Sequence, residues 1–119
     1  MRNAELQVSD FEPIVDQAQK GDLVFADPPY TVRHNNNGFV KYNEVLFSWK
    51  DQERLAAALG RAAQRGVKVI ATNADHYEIR ALYPQPTFNL TMVARYSSIS
   101  SNAATRRKYR ELVIRANCD

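Results

Sequence analysis

Residues 27–30, Asp27, Pro28, Pro29 and Tyr30, have the chemistry to hold a planar amino group. Pro28 favours an extended Asp27, and the two prolines fix φ and offer no N–H donors. The segment therefore presents two acceptors, the Asp27 carboxylate and the Pro28 carbonyl, beside the Tyr30 ring. Such acceptors would bind both hydrogens of an exocyclic amine, while the ring would stack on the base that carries it. The alternative is a proline-rich turn with a satisfied aspartate.

Other candidate residues lie further along the chain. Phe39 and Tyr42 follow in a polar loop, where they would stack around a bound base or pack in the core. Asn73 follows an apolar run, where it would line a site or cap a helix. The last quarter of the chain is basic, which fits a solvated surface or a surface that faces phosphates. Its basic residues are Arg95, Arg106, Arg107, Lys108, Arg110 and Arg115.

Short apolar runs predict the strands that position these residues. Residues 22–26 are a continuous apolar run, which is typical of a strand buried on both faces, and residues 67–72 predict a second strand of this type. Residues 5–8 predict a short first strand, and residues 88–96 and 111–115 predict two strands near the end. Strands and helices alternate over the first two thirds, which predicts an α/β fold with parallel strands and a C-terminal antiparallel hairpin. Ligands bind at the carboxyl edge of such sheets, where residues 27–30 fall.

Helical periodicity accounts for the segments between these strands. A helix capped by Ser9 or Asp10 is expected to run to residue 19, with its apolar residues on one face, and Gly21 ends it. A second helix covers residues 50–64, with Ser48 and Asp51 as a cap pair and Gly66 after its end. A third, short helix ends near residue 83. The apolar faces consist of Phe11, Ile14, Val15 and Ala18 in the first helix and Leu55, Ala58, Leu59 and Ala62 in the second.

Composition indicates one soluble domain over residues 1–119. Hydrophobic residues make up 45% and charged residues 24% of the 119 residues, and the net charge is only +3. A single cysteine, Cys118, excludes an internal disulfide and a cysteine-built zinc site. No apolar run approaches the ~20 residues that cross a bilayer. We therefore expect a cytoplasmic protein without a membrane partner or a metal.

The order of these motifs resembles that of adenine-N6 DNA methyltransferases of the Dam-like subgroup, in their C-terminal half. The resemblance rests on GDLVFADPPY, FSWKDQERLAAAL, RGVKVIATNAD and SSISSNAATRRKYRELVIRAN, together with Phe39 and Tyr42, and it covers roughly residues 8–117. It implies transfer of a methyl group from S-adenosylmethionine to N6 of an adenine flipped out of duplex DNA.

The resemblance also implies a role for particular residues. Asp27, Pro28 and Tyr30 would be catalytic. Asp10, Phe11 and Asp27 would approach the cofactor. The residues expected at the DNA substrate are Pro29, Phe39, Tyr42, Asn73, Arg106, Arg107 and Lys108.

One feature of the family is missing from the sequence. The four glycines, Gly21, Gly38, Gly60 and Gly66, form no glycine-rich cofactor turn. The chain therefore resembles a catalytic half with a partial Rossmann-like sheet that lacks the N-terminal cofactor-binding strands. We expect an unpaired edge on the strand before Asp27. We also expect weak cofactor binding by the chain alone and a partner, either a separate N-terminal half or a second copy.

Two other functions stay open. The chain could be a non-catalytic remnant that binds nucleic acid or another protein. It could also belong to a methyltransferase that acts on an amino group of RNA, a protein or a small molecule.

Overall fold

The described residues form five strands and three helices, which alternate up to the last two strands. The computed structural model describes residues 3–5, 11–29, 47–96 and 108–118. The strands are β1 (Asn3–Glu5), β2 (Leu23–Ala26), β3 (Lys68–Ala74), β4 (Asn89–Tyr96) and β5 (Lys108–Ala116). The helices are α1 (Phe11–Gln17), α2 (Trp49–Gln64) and α3 (Tyr77–Leu82).

The strands form one mixed sheet in the order β1-β2-β3-β5-β4. Strands β1, β2 and β3 run parallel, whereas β5 is antiparallel to both of its neighbours, β3 and β4. The predicted α/β fold, with parallel strands first and an antiparallel pair at the end, is therefore confirmed. The carboxyl end of β2 lies beside Ala71 of β3, because Ala26 pairs with Ala71, and β3 continues for three more residues to Ala74.

Helix α2 forms where its local signals predict it. The Ser48 hydroxyl accepts a hydrogen bond from the Asp51 N–H, and the Asp51 carboxylate accepts one from the Ser48 N–H, which completes a capping box. Gly66 follows the helix with φ +88°, a conformation that favours glycine. One face is buried, and its apolar members are Leu55, Ala56, Ala58, Leu59, Ala62 and Ala63.

Helix α1 is shorter than the sequence predicts, and it ends at Gln17. Phe11, Val15 and Ala18 are buried as expected, but Ile14 is 42% exposed. Three residues turn the helix by about 300°, so Ile14 lies some 60° from Phe11, at the border of the buried stripe. Ile14 therefore lies on the predicted apolar face but at its exposed border.

Among the described residues, the buried core lies on one face of the sheet. Val24 and Ala26 of β2 are buried with Val69 of β3 in the cluster that also contains the buried faces of α1 and α2. The alternate residues are less covered, and Phe25 is 38% exposed. Burial of runs 22–26 and 67–72 on both faces was therefore a wrong prediction. An apolar run does not reveal whether a second layer covers the other face of its strand.

Strand β1 corrects two further expectations. It consists of Asn3–Glu5, whereas the predicted first strand was residues 5–8, of which residues 6–8 lie outside the described part. Its three residues pair in parallel with Leu23, Val24 and Phe25, so β2 has a neighbour on each side. The expected unpaired edge of β2 is therefore wrong. Strand pairing uses backbone groups, so a polar segment without apolar alternation can supply it.

Among the described residues, no helix has the length and apolar character needed to span a bilayer.

Candidate active site

Asp27 is the first residue after β2, and its side chain is held by the neighbouring strand. The Thr72 hydroxyl of β3 donates a hydrogen bond of 2.6 Å to Oδ1 of Asp27. Asp27 itself is exposed at the carboxyl edge of the sheet. Because the bond to Thr72 uses Oδ1, the second carboxylate oxygen can accept a hydrogen bond from a ligand at this edge.

Pro28 and Pro29 continue from Asp27, and α2 holds the end of this segment. The side-chain amide of Gln52 donates a hydrogen bond of 3.1 Å from Nε2 to the Pro29 carbonyl. Gln52 is fully buried although it lies in an otherwise apolar helix face. Residues 27–29, named the corner below, are therefore tied to both β3 and α2.

A second buried amide extends this contact. Asn73 of β3 donates from Nδ2 to Oε1 of Gln52 at 3.0 Å, and its own Oδ1 accepts a hydrogen bond of 2.8 Å from the Ala74 N–H. The sequence left open that Asn73 caps a helix, and this alternative is wrong. Asn73 lies within β3, and the cap of α3 is His76, whose Nδ1 accepts from the Glu78 N–H at 3.2 Å.

The segment after β3 carries a charged pair beside the corner. Arg80 donates from Nε and Nη2 to the two carboxylate oxygens of Asp75, at 2.6 and 3.1 Å. These hydrogen bonds hold the pKa of Asp75 below its ordinary value. Arg80 thus occupies both oxygens of Asp75, whereas Asp27 is exposed at the end of β2 and has one oxygen bound to Thr72.

Phe11, predicted to approach a cofactor, lies in the hydrophobic core. Its ring is 2% exposed and packs against Phe47 at a centroid distance of 5.8 Å. The Arg54 guanidinium covers the ring at 5.1 Å. The structure thus shows a packing contact for Phe11, and its role toward a cofactor stays a prediction.

The remaining predicted residues separate into two groups. The structure brings Asp27, Pro28, Pro29 and Asn73 together. Lys108 is the first residue of β5, but its side chain is not described. Outside the described residues lie Asp10, Tyr30, Phe39, Tyr42, Arg106 and Arg107.

Comparison with known proteins identifies the family. A model of the D12 class N6 adenine-specific DNA methyltransferases matches residues 1–99. The chain belongs to this family.

Curated relatives of this chain are longer than it is. It is 35% identical over 103 residues to the DNA N-6-adenine-methyltransferase of Escherichia phage P1, which covers 87% of this chain and 14% of that protein. It is 29% identical over 110 residues to the type II methyltransferase M1.LlaDCHI of Lactococcus lactis subsp. cremoris, an alignment that covers 92% of this chain and 38% of that protein. It is 29% identical over 112 residues to the DNA adenine methylase of Escherichia coli strain K12 (94% and 40%). The chain thus spans less than half of each of these relatives.

The described part of this methyltransferase chain does not fit S-adenosylmethionine, the donor that the resemblance implies. Phe11 presents no open ring face, because it is buried. No described glycine marks a close approach of backbone to a ligand: a Cβ at Gly21 or Gly60 would meet nothing within 4 Å, and at Gly66 it would meet the Lys20 side chain. The described residues thus show no cradle for this group, and we derive no reaction step through it.

Sequence reasoning missed Gln52 and Thr72, although each left a weak signal. Gln52 precedes Leu55, Ala56 and Leu59 by three, four and seven residues, which places a polar side chain on the apolar face of α2. Thr72 alternates with Ala71 in β3, so its side chain lies on the sheet face opposite to the core. Only the register of β2 against β3 shows that this side chain reaches Asp27.

Proposed function

We propose that this chain supplies the adenine-binding part of an N6-adenine DNA methyltransferase. Family membership supports the reaction class. The observation that carries the proposal is the Asp27 carboxylate, exposed at the sheet edge while Thr72 fixes one of its oxygens. The substrate is an adenine of duplex DNA that leaves the helix, because an amino group inside a base pair cannot reach such a corner.

The corner would orient the amino nitrogen of adenine. Its two N–H groups would donate to Oδ2 of Asp27 and to the Pro28 carbonyl, with the Tyr30 ring against the base. Both hydrogens are then held on one side, so the nitrogen lone pair turns outward. Asp27 acts as a hydrogen-bond acceptor and not as a strong base, and no covalent protein–base intermediate forms. The contribution of the corner to the rate would be the positioning of the amino nitrogen.

We further propose that this domain is a catalytic half with a partial Rossmann-like sheet, and that another chain completes the donor site. One observation supports this: the described residues form no cradle for S-adenosylmethionine. A separately encoded N-terminal part is the simplest partner. A second copy of this chain is the other candidate, although the pairing of β1 with β2 removes the exposed β2 edge that favoured it.

Methyl transfer with labelled S-adenosylmethionine tests this function. The chain is assayed alone and mixed with the N-terminal part of a DNA adenine methylase, with DNA, RNA and protein as acceptors. We expect N6-methyladenine to form in DNA only. The rate of methyl transfer should fall roughly a hundredfold or more in Asp27→Ala. Asp16→Ala, an exposed carboxylate of α1, is the matched control and should keep full activity.

Other outcomes would decide against the proposal. Label in RNA or protein would indicate a methyltransferase for another amino group. Salt-dependent duplex binding without methyl transfer in any mixture would indicate a non-catalytic nucleic-acid-binding remnant. Full activity of Asp27→Ala would show that the corner does not hold the reacting nitrogen.

A further inference from the structure

We propose that Gln52 is a positioning residue for the adenine-binding corner, acting through the Pro29 carbonyl together with Asn73. This role rests on the proposed function of the corner. Gln52 and Asn73, named the amide relay below, touch neither donor nor base in our account. They fix the backbone that presents Asp27 and Pro28.

The chemistry of its two ends fixes the direction of the amide relay. A carbonyl can only accept, so the Pro29 oxygen requires the NH₂ group of Gln52. A backbone N–H can only donate, so the Ala74 N–H requires the oxygen of Asn73. The two remaining groups, Oε1 of Gln52 and Nδ2 of Asn73, then match each other at 3.0 Å. Reversing either amide would break at least one bond, so both side chains have one orientation.

Neighbouring residues of β3 hold the corner from opposite faces of the sheet. Thr72 and Asn73 alternate, so their side chains lie on different faces. Thr72 binds Asp27 directly on the open face, and Asn73 binds Gln52, and through it Pro29, on the core face. Because the ring of each proline fixes φ, a restraint on the Pro29 carbonyl also restrains Pro28 and Asp27.

Burial separates this role from ordinary core packing. Gln52 and Asn73 are at most 1% exposed, and buried polar groups are costly unless each is paired. An apolar residue on this face of α2 would complete the core equally well, as Leu55 and Leu59 do. What an apolar residue could not do is bind the Pro29 carbonyl. We infer that the polar side chain is present for that contact.

Two substitutions at Gln52 test the proposal. Gln52→Met keeps the length of the side chain and removes both hydrogen bonds. Gln52→Glu keeps the acceptor, and it regains the donor only when protonated, which burial favours by raising the pKa of the carboxyl. Gln64→Met, an exposed position on the same helix, is the matched control.

Nuclear magnetic resonance of the full chain gives a readout that does not depend on activity. In folded Gln52→Met we expect shifted and broadened signals at Asp27 and at the Pro28 and Pro29 carbonyl carbons, with no change there in Gln64→Met. In the wild type we expect a scalar coupling across the hydrogen bond from Nε2 of Gln52 to the Pro29 carbonyl carbon. Unchanged corner signals in Gln52→Met, or an absent coupling if that variant fails to fold, would overturn the positioning role.

Kinetics of the active methyltransferase assembly add the functional readout. We expect Gln52→Met to lower kcat roughly tenfold or more while the KM for DNA stays within about twofold, because the corner is misplaced and not lost. The kcat of Gln52→Glu, relative to that of the wild type, should rise as the pH falls from about 8 to about 6, because protonation of the introduced carboxyl restores the donor. Equal loss at every pH would contradict a role of the donated hydrogen bond. A wild type that methylates no substrate would refute the proposed function, while the resonance data would still decide whether Gln52 positions the corner.

Discussion

Polar side chains hold elements together in two regions of this molecule, and the two regions differ in burial. At the corner, the buried amides of Gln52 and Asn73 join α2, β3 and residues 27–29. At the junction of α1 and α2, Arg54 and Arg61 bind acidic residues such as Glu12, at 3.0 and 3.2 Å, with side chains 35–47% exposed. One region uses uncharged groups inside the protein, and the other uses charges in water.

The comparison shows why the number of polar contacts is a poor guide to their importance. Exposed ion pairs add little to the free energy of unfolding, because water and salt screen the charges and the long side chains lose conformational entropy. A paired buried amide also adds little net stability. When that amide is removed, however, its former partner stays buried without a hydrogen bond, which is costly. We therefore expect mutations of the buried amides at the corner to lower the free energy of unfolding far more than mutations at the junction of α1 and α2.

Removal of a relay amide should have the largest effect on stability. Asn73→Ala leaves Oε1 of Gln52 and the Ala74 N–H without their partner, and it opens space in the core. We expect a loss of about 2–3 kcal/mol in the free energy of unfolding, measured by urea denaturation. Asn89→Ala, an exposed asparagine in β4, is the control and should change it by less than about 0.5 kcal/mol. Equal losses in the two variants would remove the distinction between the regions.

Removal of the Thr72 hydroxyl should affect function more than stability. Thr72→Val preserves the shape of the side chain but frees Oδ1 of Asp27, so the carboxylate can rotate away from the amino group. We expect the methyl-transfer rate of the active assembly to fall roughly tenfold. Thr72→Ser keeps the hydroxyl and should stay within about twofold of wild type. If valine and serine behave alike, the hydroxyl does not orient Asp27.

The Asp75–Arg80 pair, whose Arg80 side chain is 43% and Asp75 side chain 9% exposed, should give a smaller, pH-dependent effect. Arg80 lowers the pKa of Asp75 in the folded protein. The contribution of the pair to the free energy of unfolding is therefore complete above the pKa of Asp75 in the unfolded chain, which is about 4. It is lost as the pH falls through the lower folded value. The urea concentration at the midpoint of unfolding should therefore decrease as the pH falls below about 4. This decrease should be less steep in Arg80→Gln than in the wild type. The same acid dependence in both proteins would show that the pair contributes nothing.

The α1–α2 junction should give the smallest effect. Arg61→Gln removes contacts with Glu12 and Asp16 whose atoms lie 3.2 Å away at the surface. We expect a change of less than about 0.5 kcal/mol in unfolding free energy, which becomes smaller still in high salt. A loss as large as that of Asn73→Ala would show that exposed charges also hold this fold together.

These regions also show how far sequence reasoning reaches. Helix α2 could be predicted within one residue, because its capping box and its apolar spacing are local signals. The first strand could not, because Asn3–Glu5 is recognisable only by the backbone of β2 beside it. The exposure of Phe25 was missed for a similar reason, since whether a second layer covers a strand depends on residues distant in sequence.

The same limit applies to the candidate site. The two prolines identify Asp27 as an acceptor at a strand end, and the structure places it there. Gln52 and Thr72 belong to other elements, 23 and 45 residues from the atoms they bind. Their roles follow from the register of β3 against β2 and from the docking of α2, which no local pattern encodes.

The most direct test of the central claim is a measurement of base preference. Wild type and Asp27→Ala are titrated with duplexes that carry one unpaired adenine or, at the same position, one hypoxanthine, whose oxygen replaces the amino group. If Asp27 accepts from that amino group, the wild type should bind the adenine duplex about tenfold more tightly, and Asp27→Ala should bind both equally. An adenine preference that survives in Asp27→Ala, or none in the wild type, would contradict the account.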